Sequence, residues 1–211
     1  DFNLSLLSLA NVKYFVSFKP LPRDDLQQLV APAENSWKLS TAGKLDLALR
    51  YNFSDTNKYY IYQNPHAFPR FFFTPGVRLF ESQEDLLTAM AEADIETLRN
   101  NAFLTWPPRA SEPPPDPSSS AQHIELVEYG ADRLVLKVAT DGRSFLVVTN
   151  NYSPFWKVFV DGVEKKLHPT YHTFWGVEVE AGRHIVEWRY DPPYKSVQFL
   201  NLIWFWSFNW L

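Results

Sequence analysis

The 211-residue chain has no cysteine. Disulfides, zinc–thiolate sites and thiol catalysis are thereby excluded, although the absence names no compartment. Only 7 glycines are present, little material for loops that cradle phosphates. The P-loop, Gly-x-Gly-x-x-Gly and Gly-x-Ser-x-Gly patterns are all missing. No block of Lys and Arg appears, because 20 basic and 24 acidic residues are spread along the chain for a formal net charge of −4. Nucleic acid is therefore not an expected partner. Asp1 is preceded by no methionine and followed by no signal-peptide pattern, so the chain reads as a piece of something longer.

Aromatic side chains are abundant: 8 Trp, 10 Tyr and 17 Phe, 17% of all residues. Such side chains bury large areas and favour strands. They also stack on sugars.

The sharpest change of composition is WPPRASEPPPDPSSS at 106–120, which holds six of the 16 prolines. Proline removes backbone donors and stiffens the chain, so this stretch predicts a linker or long surface loop. It divides a mixed α+β part (1–105) from a strand-rich part (121–193), with 194–211 left over. In the strand-rich part, turn signals recur at Asp141-Gly142, Asp161-Gly162 and Ala181-Gly182, and Asp-Gly favours the type I′ hairpin. Alternating runs flank them. Leu134, Leu136 and Val138 share one face; so do Trp156, Val158 and Val160; so do Trp175, Val177 and Val179; and so do His184, Val186, Trp188 and Tyr190. This pattern predicts an antiparallel β-sandwich.

The first part is expected to begin with a short apolar helix, Leu4 to Ala10, and a strand at 11–18. LDLALRY (45–51) and KYYIYQ (58–63) read as a hairpin. Ser82 followed by Asp85 opens a helix with a capping-box-like start. The expected class is α+β, mainly β: an antiparallel sandwich preceded by a mixed part.

From Ser196 to Leu211 there are sixteen residues without a charge. As a helix they would span roughly 24 Å, short of the about 20 apolar residues that a bilayer core requires. Trp204, Trp206 and Trp210 suit a membrane interface, and Lys195 suits its water side. The stretch reads as the start of a membrane-spanning helix, as an interfacial helix, or as a buried segment of the domain. The membrane is the partner expected through it.

Several stretches together resemble the C-terminal extracytoplasmic region of the YfhO-like bacterial membrane proteins, relatives of the GT-C class of glycosyltransferases that use lipid-linked sugars. They are NVKYFV (11–16), YYIYQNPHAFPRFFF (59–73), NNYSPFWKVFVDG (150–162) and AGRHIVEWRYDPP (181–193), followed by an apolar segment. Phe155 stands where the family has the glycine of Pro-Gly-Trp. The resemblance implies an integral membrane protein whose catalytic acids lie in another loop, absent here. This piece would then sit on the extracytoplasmic face of the membrane, contributing shape and contacts to a glycan or lipid-linked sugar. No catalytic residue and no cofactor are expected within it.

The carbohydrate-binding candidates are Tyr152, Trp156, Tyr171, His172 and Trp175, because rings stack on sugars while nearby polar groups orient hydroxyls. The competing reading turns Trp156 and Trp175 inward as core anchors, as their alternation with valines implies. His168, His172 and His184 read as ordinary histidines rather than metal ligands, since no third ligand is fixed by spacing. Asp24, Asp25, Glu34, Glu178 and Glu180 form no pair of the kind glycoside hydrolysis requires. Arg70, between Pro69 and Phe71-Phe72-Phe73, either binds an anion or pairs with a carboxylate. A stand-alone sugar-binding module and a purely structural domain are the alternative roles.

Overall fold

The computed structural model describes residues 2–30, 60–105 and 122–192. It divides into two compact units, Asp1–Phe68 and Pro69–Leu211. Residues 45–51, the 106–120 linker and the apolar segment from 194 onward lie outside the described residues. Among the described residues no helix is long and apolar enough to cross a membrane.

In the first unit, helix α1 (Leu4–Leu9) begins at Asn3, whose side-chain oxygen accepts the Leu6 amide at 3.1 Å. Such a cap satisfies a donor that the helix itself leaves open. Strands β1 (Tyr14–Ser17), β2 (Gln27–Val30) and β3 (Tyr60–Gln63) form an antiparallel sheet in the order β1-β3-β2. The central strand carries the buried Ile61 and Tyr62, and Tyr62 packs with Leu4 and Leu26. Buried Asn64 is satisfied by donating to Ser8 Oγ and the Val12 carbonyl, both at 2.9 Å.

The second unit is a β-sandwich with a helical insertion, and the molecule is mainly β. Its elements run β4 (Phe71–Thr74), β5 (Gly76–Phe80), α2 (Gln83–Glu92), α3 (Ile95–Asn100), β6 (Asn101–Thr105), β7 (Gln122–Tyr129) and β8 (Arg133–Thr140). They continue with β9 (Ser144–Val148), β10 (Trp156–Val160), β11 (Val163–Lys165), β12 (His168–Thr170), β13 (Phe174–Val179) and β14 (Gly182–Tyr190). One sheet has the order β11-β10-β14-β8-β7, the other β4-β9-β13-β12-β6-β5. Their facing sides make one core. Leu136, Val158, Val186 and Trp188 come from the first sheet, and Leu146, Val148, Trp175 and Val177 from the second. The alternation in the sequence picks these positions because successive strand side chains point to opposite faces.

Residues 69–105, grouped by composition with the N-terminal part, supply three strands to the second sheet. β4 pairs antiparallel with β9, and β6 touches β12. β5 and β6 are parallel neighbours, a pairing that requires a crossover, and α2 and α3 provide it. Helix α2 carries the expected cap: the Asp85 amide donates to Ser82 Oγ at 3.1 Å, and that hydroxyl donates to the Asp85 carboxylate at 2.6 Å.

Of the three turn signals, Asp161-Gly162 alone makes a hairpin. Both residues have positive φ, 51° and 81°, and Val160 pairs with Val163. Asp141-Gly142 and Ala181-Gly182 instead carry the chain from one sheet to the other, from β8 to β9 and from β13 to β14. Hairpins and sheet-to-sheet arches share turn residues and flanking alternation. Which of them forms is decided by the facing core.

Candidate functional site

Loop 149–155, between β9 and β10, and loop 171–173, between β12 and β13, meet at one end of the sandwich. The Tyr152 amide donates to the Thr173 carbonyl at 2.5 Å, and the Trp175 indole N–H donates to the Asn151 carbonyl at 3.0 Å. All five candidate residues lie on these loops or on the strands beside them. The structure therefore brings them together, but two of the five rings, Tyr171 and Trp175, are buried by packing.

Trp175 and Tyr171 are each 1% exposed. A ring so sealed offers no face to a sugar, so the inward reading holds for Trp175, and Tyr171 joins it. The Tyr171 hydroxyl lies 2.6 Å from the carbonyls of both Leu98 and Asn101, tying its loop to the end of α3. Burial pushes this phenol well above the usual tyrosine range, so it stays protonated and serves as a donor. Trp156 and Tyr152 are half-buried and pack on the core. The Trp156 ring lies 4.5 Å from Trp175 and 5.2 Å from Tyr190, and Trp175 in turn lies 6.1 Å from Trp188. These rings form a row running from the surface into the core. His172 is exposed, adopts φ 71°, and its Nδ1 meets the Gln83 side chain.

The other titratable candidates each have local partners. His168 is buried edge-on against Phe145, and burial, with a lesser push from Lys166, lowers its pKa to about 4. His184 holds Asp161 at 2.6 Å, and that hydrogen bond raises the imidazole pKa and lowers the carboxyl. Among the described residues no three His, Asp or Glu side chains converge as a metal site would require. Arg143 takes Glu178 at 2.7 Å and Glu180 at 3.4 Å, Arg23 takes Asp25 at 2.6 Å, and Glu34 lies outside the described residues. Glu187 sits between Arg189 and Arg133, whose bonds hold its pKa down at about 2.

Sequence reasoning missed a polar cluster at the first residues of the same loop. The Arg70 backbone is fixed by the Thr149 amide, which donates to its carbonyl at 3.0 Å. Its guanidinium stacks 5.3 Å from the centre of the Tyr129 ring. Arg70 Nη1 donates both to the Tyr129 hydroxyl and to Asn150 Oδ1, the latter at 3.1 Å, and the Tyr129 hydroxyl donates to the same Oδ1 at 3.1 Å. Tyr129 ends β7 and Arg70 precedes β4, the edge strands of opposite sheets. Residues 70, 129 and 150 are too far apart in sequence for any periodicity to link them. Arg70 alone carried a signal, as an arginine set among aromatics. Searches of family models, curated proteins and solved structures find no match to this chain.

Proposed function

We propose that this chain is a non-catalytic extracytoplasmic domain of a YfhO-like membrane glycosyltransferase, assisting recognition of a cell-envelope glycan or lipid-linked sugar. One observation carries the reading. The two most distinctive stretches of the resemblance, 150–162 and 181–193, lie side by side as β10 and β14, in register from Trp156↔Tyr190 to Val160↔Val186. Two separate stretches of the chain thus behave as one structural feature, and an uncharged apolar sequence begins soon after it, at Ser196. Of the candidate acids, Asp25, Glu178 and Glu180 are engaged in ion pairs with neighbouring arginines, which fits a supporting role. The alternative of a structural domain without a ligand draws on the burial of Tyr171 and Trp175, which leaves little aromatic surface for sugar.

Location is the testable core of the proposal. The chain has no cysteine, so Glu164→Cys on the exposed edge strand β11 adds one thiol to this region. In intact bacterial cells producing the whole protein, a membrane-impermeant maleimide labels that thiol, and the labelled protein sediments with membranes. Labelling only after lysis, or recovery in the soluble fraction, overturns the proposal.

A further inference from the structure

The Arg70 cluster decides what the sequence left open. Four other arginines pair with carboxylates at close range: Arg23 with Asp25, Arg133 with Glu187, Arg143 with Glu178, and Arg189 with Glu187. Arg70 has neutral partners only, among the described residues. Among the described residues no carboxylate therefore faces its positive charge, yet its position is held by two hydrogen bonds and a ring.

Counting donors and acceptors gives the chemistry of the missing partner. Nη1 has two hydrogens, and both are used. The Tyr129 oxygen accepts from Arg70 and donates to Asn150. Asn150 Oδ1 accepts two bonds and has no lone pair left. Among the described residues, the hydrogens left over are those of Arg70 Nε, its Nη2 and the Asn150 side-chain amide, five donors against one remaining lone pair on the Tyr129 oxygen. Nε–H and one Nη2–H point in parallel, the edge of a guanidinium that grips two oxygens of one group.

We infer that Arg70, held by Tyr129 and Asn150, is a binding site for an oxyanion, the carboxylate or phosphate of an acidic sugar ligand. The fork grips two oxygens of the anion and Asn150 donates to a further acceptor. The sugar part of this assignment rests on the function proposed above; the oxyanion part rests on the side chains alone.

The test is a titration of the full 211-residue chain, following the Arg70 Nε–H resonance by nitrogen–proton correlation. Glucuronate, inorganic phosphate and glucose are the probes. Saturable movement with glucuronate, phosphate or both, and none with glucose, supports the site; phosphate alone narrows the oxyanion to a phosphate, and glucuronate alone to a carboxylate. Arg70→Lys keeps the charge and loses the fork, so it weakens binding roughly tenfold or more. Asn150→Asp puts a carboxylate on Nη1, neutralising the Arg70 charge and removing the Asn150 amide donors, and so suppresses binding. Both residues lie off the core, and unchanged resonances of the core tryptophans verify the fold of each variant. An unmoved Arg70 resonance, an equal response to glucose, or undiminished binding in both variants overturns the inference. The maleimide experiment reads location and this titration reads Arg70, so either fails without the other.

Discussion

At the scale of single residues, Trp175 behaves as an anchor. It packs between Trp156 and Trp188 and donates its indole hydrogen to loop 149–155. Trp175→Ala is expected to cost about 3–5 kcal/mol, measured by urea unfolding. If Trp175→Ala left the unfolding midpoint in place, the ring would not be the core element described. The inward aim of Trp175 was legible from its alternation with Val177, because a strand side chain two places on shares its face. Tyr171 was not legible. It stands in a loop at φ 48°, and only the carbonyls at the end of α3 turn its hydroxyl inward. The Arg70 cluster was half legible: the arginine was visible, but Tyr129 and Asn150 reach it only through the meeting of two sheet edges.

At the scale of elements, β13 shows where alternation stops being informative. One face carries Trp175, Val177 and Val179 to the sandwich core, yet Gly176 on the other face is buried as well. A Cβ at Gly176 would lie 2.1 Å from Thr170 Oγ1 and 2.4 Å from the Phe145 ring. Gly176→Ala is therefore expected to lower stability by about 1–3 kcal/mol through overpacking. Adding Phe145→Leu should recover part of that loss. Thermal unfolding of the two variants checks both statements, and a Gly176→Ala midpoint equal to the parent's would contradict this packing. The strands themselves were readable from period-two patterning, and α2 from Ser82 and Asp85. The routing at Asp141-Gly142 and Ala181-Gly182 was not, since the partner strand lies far along the chain.

At the scale of the whole molecule, the second sheet needs residues on both sides of the proline-rich stretch. β9 takes β4 on one flank and β13 on the other, and β12 takes β6. A fragment starting at residue 69 should unfold cooperatively, with a near-ultraviolet circular dichroism spectrum of packed tryptophans. A fragment starting at residue 121 exposes the flank of β9 and should lose that spectrum; if it kept a cooperative transition, β4 and β6 would be dispensable. Composition marked the linker because prolines are conspicuous, while strand pairing across it leaves no compositional trace. The strand order has a further consequence, for the timing of folding. β14 is the last of these strands in the chain, yet it lies between β10 and β8 in the middle of its sheet. As the polypeptide leaves the ribosome, the β7–β8 and β10–β11 pairs must wait apart until residues 182–190 emerge to join them. Long-range closure of this kind is slow and leaves apolar faces open meanwhile. The sandwich is thus sealed only when residues 182–190, shortly before the uncharged segment that starts at Ser196, have been made.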